Sequence, residues 1–270
     1  MTADRQAVPP PAAPRHREPP PSRAPPMKVE DRTWSSPALG HDMTLRVYGH
    51  DGRAVVAFPS QAGRFWDFEA WGMVESVEGF IEAGRMRLVA VDGVDWQSWT
   101  NWEAHPADRA RRHADYDGYI ANEVVPFLRE LSGRETAWAT GCSMGAYHAA
   151  NALFRHPDAF DGLIAISGLY QVRDFVGNYM DEGVYLNSPL DYLPNLEDPW
   201  YLERLRRATI VFVVGQGAWE EPMIEDARAM ERALAGRQIP AIVDYWGHDV
   251  NHDWPWWRKM LPHYLERLGV

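Results

Sequence analysis

Apolar and polar positions are grouped in blocks along most of this chain. Predominantly apolar runs of strand length occur at residues 54–58, 86–91, 136–140, 162–167, 209–214 and 241–245, and Arg87 and Asp244 are the charged residues within them. Runs with so few polar positions are typical of strands that are buried on both faces. Less continuous patterns predict two earlier strands, around residues 32–35 and 43–48.

Helical periodicity occupies the segments between these runs. Helices are predicted at residues 68–82, 108–131, 146–154, 200–207, 223–236 and 254–268. Gly84 is expected to end the first helix, and Pro262 is expected to kink or divide the last one. Buried strands that alternate with helices predict an α/β fold, with a mostly parallel central sheet and helices on both faces. Such sheets place their sites at the carboxyl ends of the strands.

Two segments do not follow this alternation. Residues 1–26 contain nine prolines and almost no large apolar side chains, which predicts a disordered tail ahead of a folded domain at residues 27–270. Met27 is an alternative start of the protein. Residues 170–200 are predicted to be irregular and rich in aromatic and acidic side chains, and residues 170–207 are a candidate cap or lid over a site.

Composition excludes several classes of protein. The net charge of −11 argues against nucleic-acid binding, which requires a basic face. A single cysteine excludes an internal disulfide and a cysteine-based metal cluster. No apolar run reaches membrane-spanning length, and the N-terminus lacks the apolar stretch of a secretory signal. We therefore expect a soluble cytoplasmic protein without membrane or nucleic-acid partners.

Candidate chemistry enters at residues 141–145, which read Gly-Cys-Ser-Met-Gly between a predicted strand and a predicted helix. A turn this sharp requires small residues on either side of the serine and exposes its hydroxyl at the carboxyl end of the strand. The start of the following helix favours a developing negative charge there. Ser143 is therefore a candidate nucleophile. Because the motif also occurs by chance in glycine-rich turns, a base and an acid are needed to support this interpretation.

The base is expected in the loop after the last strand, which contains His248 and His252. We favour His252 because it directly precedes the final helix, from which its ring can reach over the strand ends. The acid is expected after the preceding strand, where Glu220 and Glu221 are adjacent. Pro222 suits the first position of a helix, which makes Glu221 a candidate cap and leaves Glu220 to turn inward.

Two backbone N–H groups are expected to form an oxyanion hole. One is that of Met144, and the other lies in the loop after residue 58, at Gln61 or alternatively at Ala62. Cys142 is expected to pack in the interior, and His148 is interpreted as structural because it should not face the same way as Ser143. The histidines at positions 105, 113 and 148 lack the spacing of metal ligands, so we expect no metal and no cofactor.

Several of these segments resemble a known family. The Gly-Cys-Ser-Met-Gly motif, the Arg-His-Pro-Asp-Ala-Phe sequence at 155–160 and the His-Asp-Trp-Pro-Trp-Trp sequence at 252–257 are similar to the "putative esterase" family of α/β-hydrolases. That family includes S-formylglutathione hydrolases, feruloyl esterases, enterochelin esterases and mycolyltransferases. The resemblance, over roughly residues 40–268, implies an α/β-hydrolase fold with Ser143 as nucleophile, His252 as base and an oxyanion donor after Phe58.

The chain departs from the family pattern at two points. Ala146 stands where many members have a second glycine, and only glutamates are available where many members have an aspartate. A glutamate after a Gly-x-Gly segment is similar to the mycolyltransferases, although this does not distinguish Glu220 from Glu221.

Three hypotheses about function follow. The first is a serine esterase that hydrolyses a small-molecule carboxylic ester through a Ser-His-Glu triad and an acyl-enzyme. The second is an acyltransferase that uses the same acyl-enzyme, with the tryptophan-rich segments 96–102 and 254–257 excluding water. The third is a non-catalytic binding protein on a hydrolase fold. The natural substrate and the oligomeric state do not follow from the sequence.

Overall fold

A computed structural model describes residues 27–270, and in that part of the chain one sheet of eight strands forms the centre of the fold. Its order is β1-β2-β4-β3-β5-β6-β7-β8. The strands are β1 Val29–Ser36, β2 His41–Tyr48, β3 Arg53–Phe58, β4 Met86–Val91, β5 Ala137–Cys142, β6 Phe160–Ile166, β7 Thr209–Val214 and β8 Ile242–Tyr245. Strand β2 is antiparallel to both of its neighbours, β1 and β4, and all other neighbouring strands are parallel. The predicted α/β fold is thereby confirmed, whereas the tail at residues 1–26 lies outside the described residues.

The connections between the strands are largely helical. The α-helices are α1 Asp67–Ala70, α2 Met73–Ser76, α3 Glu78–Glu82, α4 Pro106–Tyr119, α5 Val125–Ser132, α6 Met144–Arg155, α7 Arg173–Val176, α8 Glu182–Tyr185, α9 Pro189–Tyr192, α10 Pro199–Leu205, α11 Glu221–Gly236 and α12 Trp254–Arg267. A π-helical turn, Ile120–Val124, joins α4 to α5 directly before Pro126, which has no N–H with which to continue the α-helical ladder. No helix within residues 27–270 is long and apolar enough to cross a membrane.

Successive residues along the strands alternate between two separate hydrophobic clusters, as strand geometry requires. Val56 and Phe58 belong to the cluster that contains α6, whereas Val55 and Ala57 belong to the cluster that contains α12. Helices therefore bury both faces of the sheet, and the strand ends between the two layers are left for loops.

The structure differs from the sequence predictions at three points. Residues 68–82 form three short helices, because Gly72 has a left-handed φ of 73° and Val77 leaves the helical region. Residues 170–200 are not irregular, since they contain α7 to α9 and the start of α10. Pro262 does not divide α12, whose buried side chains on both sides of the proline pack against the sheet: Trp257, Met260, Leu261, Tyr264 and Leu265.

Candidate active site

The site is built around the turn from β5 into α6. A Cβ atom at Gly141 would lie 2.3 Å from the backbone of Gly145, and one at Gly145 would lie 2.4 Å from the carbonyl oxygen of Phe58. Both positions therefore require glycine. Ser143 between them has φ 56° and ψ −122°, a conformation that non-glycine residues adopt rarely and at functional sites. The turn presents the Ser143 side chain at the carboxyl end of the strand.

His252 faces this serine from the loop between β8 and α12. Its Nε2 lies 3.0 Å from Ser143 Oγ, and its Nδ1 lies 3.3 Å from Glu220 Oε2. The Glu220 side chain is fully buried, whereas the His252 side chain is 15% exposed. The structure thus brings together three side chains that are far apart in the sequence, in the order hydroxyl, imidazole and carboxylate.

Glu220 is held by more than the histidine. Its Oε1 accepts hydrogen bonds from Ser167 Oγ at 2.6 Å and from the Gly215 N–H at 3.4 Å. The Trp257 indole N–H donates to Ser167 Oγ at 3.2 Å, and the indole and the His252 ring are nearly perpendicular, with centroids 4.8 Å apart. These bonds compensate the burial of a carboxylate that would otherwise be strongly unfavourable.

Sequence reasoning missed Ser167 and Trp257 as supports of the site. Ser167 directly follows β6, so it lies at the same edge of the sheet as Ser143, and Trp257 belongs to the tryptophan-rich segment after His252. Both signals were visible in the sequence, but only the fold shows that these two side chains meet Glu220.

Backbone bonds fix the two loops against each other. The His252 N–H donates to the Ala218 carbonyl at 3.0 Å, and the Ala218 N–H donates to Asn251 Oδ1 at 2.8 Å. The Gly217 N–H donates to the Val250 carbonyl at 2.8 Å. The loop that carries the carboxylate is therefore bonded directly to the loop that carries the histidine.

The alternative residues lie elsewhere. Glu221 and His248 are both exposed, and neither takes part in the arrangement around Ser143. The argument from the helix cap is wrong in its residue: α11 begins at Glu221, so Glu220 occupies the cap position and Pro222 is the second residue of the helix. The Glu220 side chain makes no capping bond because its oxygens are engaged by His252 and Ser167.

The expected oxyanion donors lie beside the turn. Met144 is the first residue of α6, so its N–H has no acceptor within the helix. The close contact between Gly145 and the Phe58 carbonyl brings the loop after β3 to the same place. In that loop the Ala62 N–H donates to Asp95 Oδ2 at 3.2 Å, whereas the Gln61 N–H has no acceptor among residues 27–270.

Cys142, although adjacent to the serine, is fully buried in the cluster on the α12 face of the sheet. Burial, reinforced by the nearby carboxylates of Asp67 and Glu220, raises the pKa of its thiol well above the usual range. The thiol is therefore uncharged and is not a competing nucleophile.

Comparison with known proteins matches the sequence of this chain to one family. Residues 36–268 match the family described as "Putative esterase". Among solved structures, a ferulic acid esterase is similar with a TM-score of 0.70 and 17% identity, over 90% of this chain and 97% of that one. An S-formylglutathione hydrolase from Agrobacterium tumefaciens has a TM-score of 0.68 and 12% identity, over 89% and 94% of the two chains.

A third similar structure is FphF of Staphylococcus aureus, described as a fluorophosphonate-binding serine hydrolase. It has a TM-score of 0.64 and 14% identity, over 91% of this chain and 100% of that one. At these identities the similar structures establish the fold. No curated protein sequence matches the chain.

Proposed function

This chain belongs to the "Putative esterase" family, whose members act on ester bonds, and we propose that it is a serine esterase that hydrolyses a carboxylic ester through an acyl-enzyme on Ser143. The observation that carries the proposal is the continuous chain of contacts from Ser143 Oγ through both nitrogens of His252 to Glu220. The membership confirms the expected family, and the roles of the individual residues are part of our proposal.

In the first step, Ser143 Oγ attacks the ester carbonyl while its proton passes to His252 Nε2. This requires the other proton of the ring to be on Nδ1, and Glu220 Oε2 is placed to accept it. The buried carboxylate then stabilises the imidazolium that forms. His252 returns the proton to the departing alkoxide, which leaves as an alcohol, and an ester bond joins the acyl group to Ser143.

In the second step, His252 removes a proton from water, and the resulting hydroxide adds to the acyl carbonyl. His252 then returns the proton to Ser143 Oγ as the bond between Oγ and the acyl carbon breaks, which releases the acid and restores the serine hydroxyl. Both steps pass through a tetrahedral oxyanion. In this proposal, the N–H groups of Met144 and Gln61 donate hydrogen bonds to it. Each such donor typically stabilises the transition state by about 3 kcal/mol.

The test is hydrolysis of p-nitrophenyl acetate together with labelling by a fluorophosphonate probe. The wild type should hydrolyse the ester and be labelled, and Ser143→Ala should lose both properties. Ser132→Ala is a matched control, because this serine ends α5 and bonds to the Leu128 carbonyl. Equal labelling of the wild type and Ser143→Ala would contradict the proposal.

A second candidate function, acyl transfer, is supported by the aromatic side chains beside His252. Trp257 contacts the His252 ring, and the ring centroids of Trp254 and Trp257 are 4.8 Å apart. Trp71 stacks on Trp254 with ring centroids 5.5 Å apart, and half of the surface of Trp71 is exposed. Such a surface can seat an apolar alcohol and exclude water. If increasing concentrations of an added alcohol give no new ester and the free acid is the sole product throughout, this candidate is ruled out.

Membership in an enzyme family gives no support to the third hypothesis, a non-catalytic binding protein.

A further inference from the structure

A second pair of histidine and carboxylate lies next to the turn, and the proposed reaction does not use it. His148 Nε2 in α6 is 2.8 Å from Oδ1 of Asp95, which begins the short 3-10 helix Asp95–Gln97 after β4. Each of the two side chains is only 2% exposed. Burial of a carboxylate at this depth is costly, so the pair needs a structural or functional explanation.

The second carboxylate oxygen of Asp95 contacts the loop after β3. Asp95 Oδ2 accepts a hydrogen bond from the Ala62 N–H at 3.2 Å. The carboxylate therefore joins α6, which begins directly after Ser143, to the loop that is expected to supply the second oxyanion donor.

That loop is a tight turn held on both sides. The Gly63 N–H donates to the Ser60 carbonyl at 2.8 Å, which makes Gln61 and Ala62 the central residues of a β-turn. The Ser60 N–H and hydroxyl both donate to Asp67 Oδ2, at 2.9 and 2.8 Å.

Gln61 lies between these two anchored neighbours. The N–H before it is bound to Asp67, the N–H after it is bound to Asp95, and its own N–H is unpaired among the described residues. Ala62 has a left-handed φ of 57°, which costs about 1–2 kcal/mol for a residue with a Cβ atom, so the turn needs an external contact to hold it.

We propose that Asp95, oriented by His148, is a positioning residue that holds the Gln61 N–H in place as an oxyanion donor. A lone carboxylate behind the oxyanion hole would repel the developing negative charge. The hydrogen bond from His148 draws the charge of Asp95 away from the hole, while the bond from Ala62 sets the orientation of the turn. The inference rests on the proposed function and deepens it.

The test compares substitutions of Asp95 in the full chain, with p-nitrophenyl acetate as substrate. Asp95→Ala removes the acceptor of the Ala62 N–H, and displacement of the donor should lower kcat by about 10- to 100-fold with KM within about threefold of wild type. Asp95→Asn keeps an oxygen for Ala62 and can offer its amide to His148, so its loss should be smaller, about 3- to 10-fold.

A readout specific to the oxyanion hole separates positioning from general damage. A methyl trifluoromethyl ketone adds to Ser143 and forms an oxyanion in the hole, so its inhibition constant should rise by the same factor as kcat falls in each variant. His148→Leu should behave like Asp95→Ala, and His148→Gln, which retains an N–H donor, should recover most of the activity.

Thermal unfolding identifies variants that are folded. If Asp95→Ala does not fold, Asp95→Asn decides: parallel changes in kcat and in the inhibition constant support the inference, and an unchanged inhibition constant overturns it. A folded Asp95→Ala with kcat within twofold of wild type also overturns it. Absence of Ser143-dependent hydrolysis in the wild type would instead contradict the proposed function itself.

Discussion

Two pairs of histidine and carboxylate flank the start of α6, and they differ in what the second ring nitrogen faces. In the pair of His252 and Glu220, the second nitrogen lies against Ser143 Oγ and the histidine is partly exposed. In the pair of His148 and Asp95, both side chains are almost completely buried, and His148 Nδ1 has no partner among residues 27–270.

The difference shows that the same chemical pair can perform two kinds of task. A general base must be within hydrogen-bond distance of the proton that it removes and must be able to pass it on to substrate or water. His252 meets both conditions. His148 meets neither, and the carboxylate that it binds contacts a backbone N–H of a loop, which is the geometry of a support.

The largest effect is expected when the pair of His252 and Glu220 loses its imidazole. His252→Ala removes the base of both steps, and kcat for p-nitrophenyl acetate should fall at least about 10⁴-fold. His248→Ala, a substitution of an exposed histidine in the same loop, should retain activity within about twofold. Similar losses in the two variants would contradict the assignment of His252.

Loss of the Glu220 carboxylate should have the next largest effect. Glu220→Gln keeps the shape but presents a neutral group to Nδ1, so the imidazolium loses its stabilisation and kcat should fall about 10³- to 10⁴-fold. Glu221→Gln provides the matched control, because that side chain is exposed. If Glu221→Gln proved the more damaging of the two, the acid would have been assigned to the wrong residue.

A smaller effect is expected from Ser167, which supports Glu220. Ser167→Ala removes the 2.6 Å hydrogen bond to Oε1 and also leaves the Trp257 indole N–H without its acceptor. Hydrogen bonds to charged groups contribute about 1.5–3 kcal/mol, so kcat should fall about 10-fold or somewhat more. Unchanged steady-state kinetics in a folded Ser167→Ala protein would show that Glu220 is held without this bond.

The buried histidine His113 should also make the protein respond to pH, through its stability and not through its activity. His113 lies beside His148, and burial, together with the repulsion expected from His148, lowers its pKa well below the usual range. The unfolded chain therefore binds an additional proton below pH 6.5, and the free energy of unfolding should decrease as the pH falls below that value, by at most about 1.4 kcal/mol for each pH unit.

Urea denaturation at pH 5 and pH 7.5 measures this change. His113→Gln should lose that part of the pH dependence, whereas His263→Gln, at an exposed position on α12, should retain it. Equal pH dependence in the wild type and His113→Gln would show that His113 is not the group responsible.

Much of the active site was predictable because its chemistry is local. The steric demand for glycine at positions 141 and 145 arises within five consecutive residues, so the motif itself predicts the turn. His252 could be placed because a base belongs in the loop after the last strand. The preference for Glu220 over Glu221 agrees with the buried position of Glu220, but the cap argument behind it was wrong, because burial and not capping determines which carboxylate turns inward.

The role of His148 shows the limit of that reasoning. Helical spacing correctly places His148 away from Ser143, which favoured a purely structural interpretation. Its partner Asp95 lies 53 positions earlier in the chain. Only the approach of the loop after β4 to α6 brings the two together, and no local pattern reports that approach.

The sequence by itself determined the order of strands and helices, the family and the position of the candidate nucleophile, because alternating burial and tight turns are properties of neighbouring residues. The tertiary structure alone decided which carboxylate meets His252, that Ser167 bonds to that carboxylate and Trp257 to Ser167, and that Asp95 accepts a hydrogen bond from the Ala62 N–H beside Gln61. Those contacts join residues from different strand ends, and their partners depend on how the sheet brings the loops together in space.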